Sequence, residues 1–353
     1  MKKVLKGIGW VLLALIAAVV ILLAWLTITE YRPAAVEPLV PFAQTPPTEA
    51  KPIEPGAQLD ILSWNIGYGG LGAGSDFFMD GGKDSRSADE ATVEKYLSGI
   101  ETTVKSSGAD LVLFQEVDSN SSRTYAINEG AQLSFGTSAY ALNYSCPFVP
   151  IPLPPLGRVN SGLLTSSDYA MDAAERISLP CPFSWPLRIA NLKRCLLVSY
   201  LPIEGSDKQL VLINLHLEAY DDGEGKIAQT RQLTEFIQSE YEKGNYVIAG
   251  GDFNQVFPGS LDLYPNTHPE NWEPGVLEEA ALPDGFTYAC DLSTPTCRLL
   301  NQPYDPTDTL NTQYYVIDGF ILSPNVQLAS VETLDMAFAD SDHNPVLLRV
   351  TLG

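Results

Sequence analysis

Apolar and polar positions along the chain fall into three regimes. From Gly7 to Ile28 the residues GIGWVLLALIAAVVILLAWLTI carry no charge. As a helix this run is about 33 Å long, enough to cross a hydrocarbon core. Residues 29–57 are dense in proline and show neither helical nor strand periodicity, which predicts an extended spacer. From Gln58 to Gly353 short apolar, β-branched runs recur between turn-forming residues, as strands do. They are LDILSWNIG (59–67), DLVLFQEV (110–117), RCLLVSYLPI (194–203), QLVLINLHLEA (209–219), NYVIAGGDF (245–253), YYVIDGFIL (314–322) and PVLLRVTL (345–352). Two stretches have helical spacing instead, residues 87–108 and 225–244, and each leads directly into a strand. Neighbouring strands with no helix between them require antiparallel pairing, so the pattern predicts packed sheets with helices outside. No second linker and no internal repeat divides this region.

Charge sharpens the picture at the N-terminus. Lys2, Lys3 and Lys6 precede the apolar run and no lysine follows it closely, which predicts a cytoplasmic tip (1–6), a single-pass anchor (7–28), a spacer (29–57) and an extracellular domain (58–353). The apolar run is longer than the core of a cleaved signal peptide, and no small-residue cleavage site follows it. The 43 acidic residues against 21 basic ones give a net charge of −22. That balance disfavours a protein that grips nucleic-acid backbones, and it suits a divalent cation or simple surface solubility. The five cysteines form no CxxC pair, so a zinc site is not indicated. Cys181 with Cys195 and Cys290 with Cys297 are spaced to close short loops, and five free thiols are the alternative.

Polar residues interrupt the apolar runs at their ends. Asn65 ends the first strand, Glu116 breaks VLFQEV, His216 lies in INLHLEA, and Asp252 and Asn254 follow VIAGG. Asp318 sits in YVIDGF, and Asp342 and His343 precede the last strand. The chain has only three histidines, and two of them are in this set. Buried carboxylates and imidazoles are costly unless paired or bound to metal. Singly, each residue reads equally well as a turn or a satisfied core group; together, at strand ends, they predict one convergent site.

The blocks LSWNIG, LFQEV, NLHLEA, GGDFN, IDGF and SDHNPV, in that order, resemble the endonuclease/exonuclease/phosphatase superfamily. The group includes DNase I-like nucleases, apurinic endonucleases, neutral sphingomyelinases and inositol polyphosphate 5-phosphatases. The resemblance spans nearly all of residues 58–353 and implies a four-layer α/β/β/α sandwich. It implies Mg²⁺, with Mn²⁺ as an alternative, held by Glu116 with Asn65 and Asp342 nearby. It implies that Asp252 and Asn254 orient the attacking water and contact phosphate. His216 contacts a phosphate oxygen or assists the leaving group, and Asp318 orients His343, a general base or phosphate binder. Which histidine is acid and which is base stays open. The chain departs from the pattern at Gly67, where many nuclease members carry an acidic or polar residue, so the resemblance leaves one versus two metals open.

Substrate choice lies in the insertions. The Gly-rich segment 67–86 carries Lys83 and Arg86 beside Phe77, Phe78 and Met79, and Arg123 follows Glu116 closely. Cations with apolar neighbours suit a phosphorylated headgroup at a membrane surface, while a loop of solvated charges is the plainer alternative. Asn160, in RVNSGLLTSS, is a phosphate contact or a turn residue. PFVPIPLPPLG (147–157) is a lipid-touching rim or a rigid connection. The sequence therefore predicts a membrane-tethered phosphoesterase whose favoured substrate is a phospholipid or phosphorylated small molecule. A surface nuclease and a catalytically inactive scaffold are the alternatives, and no feature points to a protein partner.

Overall fold

The computed structural model describes residues 2–43, 50–87 and 89–353. Two seven-stranded sheets face each other. The strands that build them are β1 (Val36–Leu39), β2 (Phe42–Ala43), β3 (Gln58–Asn65), β4 (Leu111–Asp118), β5 (Thr137–Val149), β6 (Gly157–Ser167) and β7 (Ala173–Ser178). They continue with β8 (Cys195–Pro202), β9 (Gln209–His216), β10 (Tyr246–Asp252), β11 (Thr287–Ala289), β12 (Asp318–Leu322), β13 (Val326–Thr333) and β14 (Val346–Leu352). The first sheet runs β13-β14-β3-β4-β6-β5-β2 and the second β1-β7-β8-β9-β10-β12-β11.

Each sheet contains one parallel pair, β3 with β4 and β9 with β10, and every other ladder is antiparallel. A parallel pair needs a crossover. Helix α2 (Glu90–Ser107) supplies the first and α3 (Glu224–Glu242) the second, after the apolar helix α1 (Lys2–Ile28). α2 begins where the Asp89 carboxylate accepts from the Thr92 amide and ends on Gly108, at φ +68°.

Alternation along β3 explains the layering. Leu59 and Ile61 face the opposing sheet, where they meet Leu212, Ile248 and Leu322. Leu62 and Trp64 point the other way, onto Val93, Leu97 and Ile100 of α2. On the far side Leu233 and Ile237 of α3 cover Val211, Ile213 and Val247. The order is helix, sheet, sheet, helix, as the sequence predicts.

The proline-rich segment differs from the expected spacer. Val36–Leu39 pairs with β7 and Phe42–Ala43 with β5, so residues on both edges of the fold recruit it. Ile53 is fully buried in the core between the sheets, and its amide donates to the Pro202 carbonyl at 2.9 Å. Pro38 is tolerated because its strand is outermost, where a missing N–H breaks no ladder. Residues 44–49 of this segment lie outside the described residues.

α1 is long and apolar enough to cross a membrane, and most of its side chains are exposed. Its last turn is not free. Leu26 is buried against Tyr144, Val149 and Ile189, the Trp185 indole donates to the Thr27 hydroxyl at 3.1 Å, and Arg188 donates to Glu30 at 2.8 Å. All five cysteines are free thiols, three of them buried.

Candidate active site

Register brings the polar strand ends together. In the second sheet Asp252 lies opposite His216 on one side and Asp318 on the other, so three chemically active side chains sit in one row across β9, β10 and β12. In the first sheet Asn65 ends β3 beside Gln115 of β4. Glu116 follows at a bulge in the β4–β6 ladder, with φ +57°. A bulge re-aims a side chain, and here it turns a carboxylate out of an otherwise apolar strand into the cavity between sheet edges. Asp342 and His343 enter from the loop before β14. The Trp64 indole fixes that loop by donating to the His343 carbonyl at 2.8 Å. The Ser341 hydroxyl fixes it too, donating to the Asn65 carbonyl at 2.8 Å.

The distances are those of one site. His343 Nδ1 and Asp318 Oδ2 are 2.8 Å apart. Asp252 Oδ2 lies 3.0 Å from Asn65 Nδ2, 3.4 Å from His216 Nε2 and 3.8 Å from His343 Nε2. Asn65 Nδ2 also donates to Glu116 Oε1 at 3.2 Å. Asn254, at φ +50°, donates its backbone amide to Asp252 Oδ1 at 2.8 Å and its side-chain amide to the Leu217 carbonyl at 2.9 Å. The third histidine, His268, is remote from this group, bonded to Glu270 and the Leu310 carbonyl.

Burial sets the electrostatics. It raises Asp252 to about 7, with the neighbouring Asp318 adding to the effect, and it raises Asp342 to about 6. Burial pulls His343 down, but Asp318, with Cys297 and Asp342, outweighs it and holds the imidazole well above its ordinary range. His216 is driven well below its range by burial, then by Arg194 and His343, and its Nδ1 has no hydrogen-bond partner. The two histidines therefore favour opposite charge states.

Four carboxylates crowd this site with little cationic compensation, which is what a divalent cation would relieve. Glu116 and Asp342 turn hard oxygens to the cavity. Asp252, Asp318 and His343 also offer ligand atoms within 4.8 Å of one another, but His343 Nδ1 is already engaged by Asp318. Asn65, as oriented, braces two carboxylates through its NH₂ group while its oxygen accepts from the Gly67 amide at 3.0 Å. Gly67 has φ +50°, and a Cβ there would sit 2.7 Å from Asp342 Oδ1. The departure noted in the sequence thus gives Asp342 its place.

The cavity of about 540 Å³ is lined by Asn65, Glu116, His216, Asp252, Asn254, Asp342 and His343, with Arg123 at its wall. Arg123 is buried, bonds Asp118 through both Nε (2.9 Å) and Nη2 (2.8 Å), and lies 3.6 Å over the Tyr68 ring. It is a brace with only an edge toward the cavity. Lys83 and Arg86 are exposed and do not line it, whereas their apolar loop neighbours Phe77, Phe78 and Met79 do. Asn160 also points elsewhere, accepting from the Ser145 hydroxyl at 2.9 Å. Its strand neighbour Ser161 and Asn143 of β5 line the cavity instead, as do Tyr68 and the pair Asp80–Tyr220, bonded at 3.0 Å. Only Tyr68 had a sequence signal, a tyrosine set between glycines, and it takes a positive φ of 43°.

Residues 62–343 match the profile described as "Endonuclease/Exonuclease/phosphatase family". No curated protein sequence matches the chain significantly. Among solved structures, an endonuclease/exonuclease/phosphatase from Beutenbergia cavernae superimposes with TM-score 0.55 at 15% identity, covering 84% of this chain and 72% of that one. A family protein from Bacteroides thetaiotaomicron gives 0.52 at 13% identity, covering 84% and 99%. ANGEL2, described as a 2',3'-cyclic phosphatase in complex with adenosine-2',3'-vanadate, gives 0.50 at 13% identity, covering 84% and 96%. These likenesses establish a shared fold.

Proposed function

The chain belongs to the endonuclease/exonuclease/phosphatase family, and from that premise we propose that it is a divalent-cation-dependent phosphoester hydrolase, tethered by α1 with its catalytic domain outside the cytoplasm. Mg²⁺ is the favoured cation, with Mn²⁺ as its substitute, and a phospholipid or phosphorylated small molecule is the favoured substrate. The observation that carries the reading is the meeting of Glu116, His216, Asp252 and His343 in one cavity, with Asp318 bonded behind His343 at 2.8 Å.

Glu116 and Asp342 would hold the cation, with Asn65 keeping Glu116 in place. When bound, the cation supplies charge stabilisation to the phosphoryl oxygens. The protein's own groups divide the rest. Asp252, raised toward neutrality, is suited to take a proton from an attacking water, and Asn254 fixes its rotamer. His343, kept protonated by Asp318, is suited to bind a phosphoryl oxygen as a cation or to give a proton to the leaving oxygen. His216, kept neutral, is suited to a hydrogen bond on the same phosphoryl group.

The test uses the full chain in nanodiscs, assayed with Mg²⁺ or with EDTA on a chromogenic phosphodiester, a chromogenic phosphomonoester, a short-chain phospholipid and plasmid DNA. Hydrolysis of one of the first three, abolished by EDTA and by His343→Ala, is expected. Nicking of plasmid alone would replace this reading with a nuclease, and inactivity on all four without Mg²⁺ binding would overturn it.

A further inference from the structure

The cavity does not end at the catalytic groups. The same continuous space runs past Met79 and Leu156 to Ile189 and Leu187, and its far wall is Leu23 and Leu26 of α1. One arm is thus ionic and the other is almost wholly apolar. We infer that the apolar arm receives the hydrocarbon tail of a membrane lipid whose phosphoester lies between Glu116 and His343. The inference rests on the phosphoesterase reading above and adds the substrate's second half and its route of entry.

Three observations carry it. First, the helix that would lie in the bilayer is itself a wall of the arm, and its end is pinned. Leu26 is only 4% exposed, Thr27 accepts from Trp185, and Glu30 is held by Arg188. A lipid lying against the last turns of α1 is therefore already at the mouth of the cavity.

Second, the loops flanking that mouth expose large apolar side chains. Ile151 is 74% exposed, Leu153 84%, Leu187 66% and Trp185 54%. Grouped beside the end of an apolar helix, with a tryptophan among them, they match a surface that sits in the interfacial layer of a bilayer.

Third, the cavity lacks what a polynucleotide needs. Among the described residues lining it, the only arginines or lysines are Arg123 and Arg194. Both are buried: Arg123 is bonded to Asp118 at 2.8 Å, and Arg194 faces the Glu218 carboxylate at 3.8 Å and donates Nη1 to the His216 carbonyl at 3.4 Å. Among the described residues lining the cavity no exposed cation is left to bind a nucleic-acid backbone. An arm walled by Leu23, Leu26, Met79, Leu156, Leu187 and Ile189 instead favours an apolar ligand.

The experiment is a chain-length series. The full chain in nanodiscs with Mg²⁺ is assayed on methyl, butyl and octyl p-nitrophenyl phosphodiesters, each below its micelle concentration. Burial of each added methylene predicts a rise in kcat/KM of about fourfold while the arm fills, so butyl should exceed methyl by some tens of fold. Met79→Asp, Ile151→Asp and Leu187→Asp, all at solvent-accessible positions, should drive the butyl-to-methyl ratio toward one. Partition into the bilayer affects wild type and variants alike, so the change in ratio isolates the arm. Glu116→Gln should abolish turnover of every ester. Turnover that depends on Glu116 but is flat with chain length, or a length dependence that the three variants keep, would overturn the tail site while leaving the phosphoesterase reading intact. Failure to turn over even the methyl ester would remove that reading and this inference with it.

Discussion

Replacing Gly67 by alanine tests how the acidic site is assembled. Gly67 has φ +50°, where an L-residue costs about 1–2 kcal/mol. Its missing Cβ would lie 2.7 Å from Asp342 Oδ1 and 2.8 Å from Leu71 Cβ. Neither neighbour yields freely. Asp342 is buried, and Leu71 Cβ is not the far end of a flexible chain. Overpacking of that kind adds about 1–3 kcal/mol, for a total of about 2–5 kcal/mol. Gly108 is the matched control, since it has φ +68° with nothing within 4 Å of an added Cβ. Gly108→Ala should therefore cost only the backbone strain, about 1–2 kcal/mol. Urea unfolding followed by circular dichroism measures both. The functional half is a Mg²⁺ titration of phosphodiester hydrolysis. Displacing Asp342 should raise the half-saturating Mg²⁺ concentration of Gly67→Ala by about 10–100-fold, the scale for disturbing a ligand's support. Gly108→Ala should leave it unchanged. If the two variants unfold alike and share one Mg²⁺ requirement, Asp342 is not seated against Gly67 as a cation ligand.

Asp318→Asn removes the charge 2.8 Å from His343 Nδ1 and should lower kcat by about 10²–10⁴-fold with an unchanged far-UV spectrum; a loss under tenfold would deny Asp318 its orienting role. Arg123→Ala strands the Asp118 carboxylate in the interior and should cost about 3–5 kcal/mol in urea unfolding, whereas exposed Lys83→Ala should stay within about 0.5 kcal/mol. Equal stability of those two variants would return Arg123 to a purely substrate-facing role. Glu30 is lowered to about 2, first by its hydrogen bond to Arg188, so its stabilising contribution is complete above about 4.5 and lost as pH falls toward 2. The difference in thermal midpoint between wild type and Glu30→Gln should accordingly be constant near neutrality and vanish over that acidic window; a difference that persists at pH 2 would refute it.

The clustering of polar strand ends was legible because burial makes polar residues conspicuous. Glu116 stands out as a charge inside VLFQEV, and its bulge is the backbone's answer to that interruption. His216, Asp252 and Asp318 fall at equivalent strand ends, so register alone aligns them. The remaining lining residues carry no such mark, because they lie in turns, as Tyr68, Asp80 and Tyr220 do, or on strands without apolar alternation. β5 mixes serine, tyrosine and asparagine among its apolar residues, and it brings Asn143 to the cavity. β13 is an edge strand whose residues are largely exposed, so it carried no buried stripe. Arg123, Lys83 and Arg86 looked alike in sequence. Only the fold distinguishes an arginine clamped by a carboxylate five residues earlier from two cations in solvent.

Proline density misled in the other direction, and the consequence bears on substrate reach. A free, extended proline-rich spacer of 29 residues, at about 3.1 Å per residue, would let the domain stand as far as about 90 Å from its anchor. Here Val36–Leu39, Phe42–Ala43 and Ile53 are each held by the sheets, and the end of α1 is bonded to the domain through Thr27 and Glu30. With α1 in a bilayer, the cavity mouth would be held at a fixed height beside the helix end. An enzyme held in that way would meet what the membrane brings laterally to Leu23 and Leu26, which is the condition under which an acidic pocket and an apolar arm would be of use to the same molecule.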